Sequence, residues 1–188
     1  MIYLQSLVKK MTARELVLCG LFTALTAIGA FIRIPVPVVP FTLQFLFTML
    51  AGILLGGRLG SLSVAIYVLL GLIGLPVFTE GGGPAYIFQP TFGYLIGFII
   101  ASWVTGQIAN TAGARPSFKR LLAADFAGMA IVYALGLLYC YFISNFYLGK
   151  VVSVWMVFLY GFILAAPGDA ALCILAAAIG KKILPMIR

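Results

Sequence analysis

The stretch TFGYLIGFIIASWVTGQIANTAGA, residues 91–114, contains no charged side chain and is followed at once by RPSFKR, residues 115–120. A transmembrane α-helix needs roughly 20 consecutive, predominantly apolar residues, and this stretch provides them. Residues 16–32 and 41–57 are also uncharged and close to span length. Helices on a soluble core are shorter and carry a polar stripe. The pattern therefore predicts an all-α integral membrane protein.

The composition supports the same class. Of the 188 residues, 64% are hydrophobic and 9% are charged, which is too little polar surface for a water-soluble globule. The length fits one helix bundle, so we predict a single transmembrane domain over residues 1–188. The net charge of +8 is explained by basic helix ends that contact anionic lipid headgroups. We therefore predict the lipid bilayer, and no nucleic acid, as a partner.

The basic residues predict the topology. With the amino terminus in the cytoplasm and six helices, ten of the twelve Lys and Arg residues fall on the cytoplasmic side, and only Arg33 and Lys150 fall outside. Short loops rich in Lys and Arg resist translocation. The ten are Lys9, Lys10, Arg14, Arg58, Arg115, Lys119, Arg120, Lys181, Lys182 and Arg188. We expect both termini in the cytoplasm and a multi-pass protein of the cell membrane.

The predicted helices cover residues 12–32, 41–55, 59–74, 91–113, 121–146 and, from Pro167, the segment that ends near Lys182. The connection at residues 75–90 holds successive glycines and several prolines, so it is too irregular to face lipid. Residues 151–166 are apolar enough for a seventh span, but a seventh span would move Lys181 and Lys182 to the wrong side. Charge therefore favours an outer hairpin there over a seventh span.

Catalytic and metal-binding motifs are missing. The chain has no histidine, and its three cysteines stand alone in apolar stretches, which predicts neither a metal site nor a disulfide framework. It also lacks the Gly-rich loop that cradles ATP phosphates. We predict no catalytic residues, no enzymatic activity and no cofactor.

Small residues recur at four-residue spacing, as in Gly20/Ala24 and Gly52/Gly56, and allow helices to approach closely. Packing within the bundle and docking to the helices of a partner are both open. For Gly20 and Ala24 we predict partner docking.

Polar and aromatic side chains cluster at the outer helix ends and suggest a small ligand pocket. Asp169 follows Pro167-Gly168 at the start of the last helix and could accept a ligand hydrogen bond or cap the helix. Asp125 has a structural role in this interpretation, because it lies near Lys119 and Arg120. The other candidates are Phe41, Gln44, Tyr86, Gln89, Tyr94, Tyr141 and Asn145. The three amides could instead satisfy backbone groups, and the aromatic residues could form an interface belt.

Four motifs occur in a characteristic order: PVVPFTLQ at 37–44, GLPVF at 74–78, QPTFGYLIG at 89–97 and PGD at 167–169. With these motifs, the chain from about Thr12 to its end resembles the BioY family, the biotin-binding subunits of energy-coupling factor transporters. The resemblance implies a six-helix bundle whose outward-facing vitamin site is closed by the first outer loop. It also implies a separate energising module, made of a transmembrane coupling (T) subunit and two ABC ATPase subunits.

For the ligand, the resemblance implies high-affinity binding of biotin from the outside, followed by its uptake. Asp169 would accept a ureido N–H, Gln89 would donate to the ureido carbonyl, and the aromatic side chains would enclose the bicyclic ring. Many members of the family carry a lysine three residues after the aspartate, where this chain has Leu172. The carboxylate of the ligand could then meet Lys150, Arg33, Asn145 or water.

Three other interpretations stay open at this stage. The same bundle could bind another vitamin, such as thiamin or riboflavin, because topology does not encode the ligand. The chain could be a membrane assembly subunit without a ligand, although the order of the motifs argues against this. A membrane enzyme would need a catalytic base or a metal, and Asp169 and Glu80 are the only outer acids.

Overall fold

The computed structural model describes residues 11–34, 39–111 and 116–187, which are mostly helical. The helices are α1 Ala13–Phe31, α2 Gln44–Leu55, α3 Gly57–Leu72, α4 Phe92–Asn110, α5 Phe118–Phe142, α6 Val154–Phe158 and α7 Ala166–Ile187. Two short strands, β1 Arg33–Ile34 and β2 Phe41–Thr42, and a 3₁₀ helix, Pro84–Phe88, lie in the connections. The six predicted helices correspond to α1–α5 and α7.

The start of α1 is defined by local hydrogen bonds. The Glu15 backbone N–H donates to Thr12 Oγ1 at 3.2 Å, and the Thr12 backbone N–H donates to Glu15 Oε2 at 2.7 Å. This reciprocal pair is a capping box, which satisfies two donors that the first turn of a helix leaves free. The predicted start of the first helix, Thr12, is therefore its N-cap.

The strands β1 and β2 pair antiparallel, with Arg33 opposite Thr42 and Ile34 opposite Phe41. We call this pair the ribbon, and the end of the bundle that carries it the ribbon end. Helices α1–α5 alternate in direction, so α2 and α4 begin towards the ribbon end, as does α7, while α1, α3 and α5 finish there. The second helix was predicted from Phe41, but it begins at Gln44 because Phe41 and Thr42 pair with β1.

The helices differ greatly in length. Among the described residues, four helical segments are long and apolar enough to cross a membrane: Ala13–Phe31, Phe92–Asn110, Phe118–Tyr147 and Val154–Ile187. In contrast, α2 has 12 residues and α3 has 16. Short helices can be accommodated where neighbours shield them, and in α2 only Phe47 and Leu55 are not fully buried.

Glycines permit the closest helix contacts. A Cβ atom at Gly52 of α2 would lie 2.4 Å from the Ser102 carbonyl oxygen of α4. A Cβ atom at Gly106 of α4 would lie 2.2 Å from the Gly57 backbone nitrogen. Backbones this close are typical of membrane helices that meet through small residues. For Gly52, packing within the bundle is therefore the correct interpretation.

Residues 151–166 differ from their predicted form. Instead of a hairpin, they form α6 and a π-helical turn, Leu159–Ile163, which lead through Leu164 and Ala165 into α7. The hairpin was wrong because this apolar segment can satisfy its backbone as helix. It belongs to the same helical segment as α7, so it is not a separate seventh span. Gly113, the predicted end of the fourth helix, lies outside the described residues.

Candidate functional site

A cavity opens at the ribbon end between the ribbon, α2, α4, α5 and α7. The empty space between its walls is about 550 Å³ when the mouth is included, and about 50 Å³ of it is wide enough for the centre of a water molecule. The first value includes open solvent at the mouth, whereas the second is well below the roughly 300–1,000 Å³ of typical small-molecule sites. The second shows that the pocket is narrow, so a ligand larger than a few water molecules requires some of the wall to move.

The wall combines aromatic rings with a few polar groups. Its polar side chains are Thr42, Gln44, Thr79, Tyr86, Thr91, Tyr94, Tyr133 and Asp169. Neither lysine nor arginine occurs among the described residues that line it. The pocket thus offers one acid, one amide and several hydroxyl groups in a mostly apolar enclosure, which suits an uncharged, partly polar ring.

The acid is held by the start of α7. Pro167 lies in the first turn, where its missing N–H costs no helix hydrogen bond. A Cβ atom at position 168 would lie 2.6 Å from the Phe41 ring, so Gly168 allows this ring to pack against the helix start. The next residue, Asp169, lines the cavity and is 8% exposed. The PGD motif therefore places an aromatic ring beside a carboxylate.

Tyr133 of α5 orients this carboxylate. Its hydroxyl donates to Asp169 Oδ2 at 2.5 Å. The ring of Tyr133 lies edge-on to Tyr94 and to Phe162, with centroid distances of 6.3 and 4.9 Å. Within the described residues, no donor reaches Asp169 Oδ1. One carboxylate oxygen is thus bonded to the protein, and the other can accept a hydrogen bond from a ligand.

A second polar group lies at the start of α2. Gln44 is 4% exposed, and its Nε2 donates to Tyr67 Oη at 2.5 Å. Thr42 Oγ1 donates to Gln44 Oε1 at 3.2 Å, and the Tyr67 hydroxyl donates to the Val77 carbonyl oxygen at 3.2 Å. An amide has two N–H donors, so the contact with Tyr67 leaves one of them available. The side chain is therefore fixed in place while it keeps a donor.

Two more predicted residues, Tyr86 and Tyr94, line the cavity with their rings. The Tyr86 hydroxyl lies 3.1 Å from Thr79 Oγ1 and 3.4 Å from Thr91 Oγ1. The Tyr94 hydroxyl donates to the Gly161 carbonyl oxygen at 3.1 Å. Both tyrosines have their polar ends bonded to the protein, so their faces can pack against a ligand.

Three predicted residues do not line the cavity. Gln89 is exposed in the turn that follows the 3₁₀ helix. Asn145 bridges its own loop, since its Nδ2 donates to the Tyr141 and Val152 carbonyl oxygens and its Oδ1 accepts from the Val152 N–H. Tyr141 packs its ring edge-on against Phe142. For Asn145, the backbone-satisfying role that the sequence left open is the one observed.

The second intramembrane acid is isolated from the cavity. Asp125 of α5 is fully buried, and neither of its carboxylate oxygens has a hydrogen-bond partner among the described residues. The nearby Arg120 instead donates to the Ile108 carbonyl oxygen at 2.8 Å and to Thr111. The sequence placed Asp125 near Lys119 and Arg120, but Arg120 turns towards the end of α4, and no hydrogen bond joins it to Asp125 within the described residues.

Gly20 and Ala24 lie on an open face of α1. A Cβ atom at Gly20 would meet nothing within 4 Å, and both residues are exposed. They line an apolar groove between α1 and α3, together with Leu16, Leu62 and Ile66 among others. Unlike Gly52, these small residues are not used to pack this bundle.

Comparison with known proteins extends these observations. The chain matches the BioY family over residues 5–188. It is 44% identical over 182 residues to a probable biotin transporter BioY of Lysinibacillus sphaericus, covering 97% of this chain and 92% of the relative. It is 46% identical over 148 residues to the biotin transporter BioY of Thermotoga maritima, covering 77% and 83%.

The fold also matches a solved structure. A crystal structure at 2.1 Å of the S-component for biotin from an ECF-type ABC transporter superimposes with a TM-score of 0.80, at 28% identity. The match covers 93% of this chain and 94% of the other. Together with the long apolar helices, these matches identify a multi-pass membrane protein. A family match that spans nearly the whole chain shows that this protein belongs to the BioY family.

Proposed function

We propose that this chain is the substrate-binding subunit of an ECF-type transporter and captures biotin with high affinity for uptake. The observation that carries the proposal is the buried Asp169 carboxylate, which keeps one free oxygen in an aromatic-walled cavity. The likeness to an S-component for biotin over 93% of the chain supports it. In this proposal the chain is one domain, residues 1–188, and works by binding rather than by catalysis or through a cofactor.

Biotin fits the chemistry of the cavity. Its ureido ring has two N–H donors and a carbonyl, and Asp169 Oδ1 would accept one N–H. The Gln44 N–H that Tyr67 does not use would donate to the carbonyl, a role that the sequence assigned to Gln89. The thioether ring would pack against Phe41, Tyr86 and Tyr94, which line the cavity. A polar head surrounded by aromatic faces gives both orientation and apolar contact.

The charge pattern supports a placement in the cell membrane with the ribbon end outward and both termini in the cytoplasm. Arg33 belongs to the ribbon, and Lys150 lies in the loop after α5, so both basic residues outside the cytoplasm are at the ribbon end. Arg14 lies at the start of α1 and Lys181 lies towards the end of α7, so both are far from the ribbon end. Of the ten basic residues assigned to the cytoplasm, Lys9, Lys10, Arg115 and Arg188 lie outside the described residues.

The energising module in this proposal is a transmembrane coupling subunit with two ABC ATPase subunits. It would dock at the apolar groove of α1, where Gly20 and Ala24 leave space for a partner helix. Gly20→Leu should abolish transport and leave biotin binding by the isolated chain unchanged. The matched control is Val17→Leu, because Val17 is exposed on the same helix but does not line the groove. Intact transport in Gly20→Leu would remove this docking site.

The ligand is tested by titration calorimetry of the detergent-purified chain with biotin, thiamin and riboflavin. We expect stoichiometric binding of biotin alone, and a dissociation constant at least tenfold larger in Asp169→Asn, which is about 1.4 kcal/mol. Asp125→Asn is the matched control, since Asp125 is also a buried acid but does not line the cavity. Binding of another vitamin in place of biotin would keep the fold and overturn the ligand. Unchanged affinity in Asp169→Asn would remove this residue from the site.

A further inference from the structure

The described residues that line the cavity include no cation that could receive the carboxylate of an anionic ligand. Among the described residues that line it, the charged side chain is Asp169, which would repel an anion. Leu172, one turn further along α7, is buried and apolar. A ligand with an uncharged ring and an anionic tail must therefore point its tail towards the mouth of the cavity, where basic side chains have to be sought.

Arg33 is the basic residue that reaches this mouth. In the ribbon it lies directly opposite Thr42, and residues directly opposite in an antiparallel pair project from the same face. Thr42 lines the cavity. The Arg33 guanidinium also donates to the carbonyl oxygen of Thr79, another lining residue, at 2.6 Å. The strand register and this hydrogen bond both place Arg33 at the rim.

The guanidinium group keeps most of its hydrogen-bonding capacity. It has five N–H donors in a planar fork that matches the two oxygens of a carboxylate. The Thr79 carbonyl is the acceptor that it uses within the described part of the chain. Asn145 is already bonded to the Tyr141 and Val152 backbone, so its amide is not available for the same role.

We propose that Arg33 determines specificity for the anionic end of the ligand, by pairing with its carboxylate at the mouth of the cavity. This inference rests on the proposed function, since it takes biotin as the ligand whose ring enters first. Besides Asp169, two other charged residues lie near the ribbon end in the described part of the chain. Glu80 follows Thr79 directly and would weaken the field of Arg33, while Lys150 is exposed in the loop after α5.

The test compares biotin with biotinamide, the neutral analogue whose carboxylate is replaced by a carboxamide. The wild-type chain should bind biotin more tightly than biotinamide, because only the carboxylate forms a charge-assisted hydrogen bond with Arg33. We expect a difference on the order of tenfold, since such a bond is weaker at an exposed rim than in a buried site. In Arg33→Gln the two ligands should bind with nearly equal affinity, while Arg33→Lys should keep part of the preference. Glu80→Gln should increase the preference for biotin.

The matched control is Lys150→Gln, which removes the other outer positive charge and should leave the preference unchanged. The ratio of the two affinities is the measured quantity, so a general loss of binding through the Thr79 contact does not affect it. Equal affinities in the wild-type chain, or a preference that survives in Arg33→Gln, would overturn the role of Arg33 and leave the proposed function intact. If neither ligand binds the wild-type chain, the proposed function itself fails.

Discussion

Tyr133→Phe removes the hydroxyl that donates to the Asp169 carboxylate and leaves the rest of the side chain unchanged. The ring keeps its edge-on contacts with Tyr94 and Phe162, so the substitution isolates the 2.5 Å hydrogen bond to Asp169. Side-chain hydrogen bonds between membrane helices contribute about 0.6 kcal/mol on average and about 1.7 at most. A buried acceptor that loses its donor costs about 1–3 kcal/mol. We therefore expect a loss of about 1–2 kcal/mol in stability.

The same change should weaken ligand binding. Without the Tyr133 hydroxyl, the Asp169 side chain can rotate in the unliganded chain and must be ordered again when a ligand binds. Ordering one side chain costs about 0.5–1.5 kcal/mol, which corresponds to a two- to tenfold larger dissociation constant. The assays are thermal unfolding in detergent and calorimetric titration with biotin, each made on the same preparation.

Tyr139→Phe is the control for this experiment. Tyr139 lies on the same helix and donates to the Ile87 carbonyl oxygen, but it does not line the cavity. Its loss should leave biotin affinity unchanged. In the double variant with Asp169→Asn, the effects of Tyr133→Phe should no longer add, because the two side chains act as a pair. A Tyr133→Phe chain with the melting temperature and biotin affinity of the wild type would refute the reasoning.

Two further predictions concern packing and the outer loop. Gly52→Ala should lower the free energy of unfolding by about 1–3 kcal/mol, because its Cβ would lie 2.4 Å from a backbone oxygen of α4. Gly20→Ala is the control and should not change unfolding in detergent, since its Cβ would meet nothing within 4 Å. Equal melting temperatures would show that α2 and α4 can separate at no cost. Asn145→Ala should lower the melting temperature through its lost loop hydrogen bonds but change the biotin dissociation constant by less than about twofold, since distant sites act independently. A larger change in affinity would place Asn145 in the site.

The helices could be predicted from the sequence because uncharged stretches of span length have few other stable forms in a membrane. The ribbon could not, since a two-residue pairing leaves no periodic pattern. Phe41 and Thr42 therefore looked like the start of α2. The shape of residues 151–166 was also missed, because charge distribution reports which side of the membrane a segment is on and not its backbone conformation.

The candidate site was predicted in part, for a similar physical reason. Phe41, Gln44, Tyr86, Tyr94 and Asp169 lie at helix ends or in connections that converge on the ribbon end, and all of them line the cavity. The sequence shows how far along a helix a side chain lies. When a helix is apolar on every face, the sequence does not show which of its side chains face the cavity.

Helix α5 shows the difficulty most clearly. It carries Tyr133, Tyr139 and Tyr141, and only Tyr133 lines the cavity. One signal in the sequence could have pointed to Tyr133, because a buried acid such as Asp169 needs a hydrogen-bond donor from a neighbouring helix.

The shortness of α2 determines how far a captured molecule still has to travel. Gly56, just after α2, lies beside Asn110 at the end of α4, so these two parallel helices finish at the same level. Because α4 has 19 residues and α2 has 12, α2 begins about 10 Å deeper, at a rise of 1.5 Å per residue. Gln44, which lines the pocket, therefore lies about 10 Å below the start of α4, and in the proposed orientation a bound molecule would still have about 18 Å, the length of α2, to travel. In the proposed transport, release at the other end of the bundle would need a passage about three-fifths as long as the hydrocarbon thickness of roughly 30 Å.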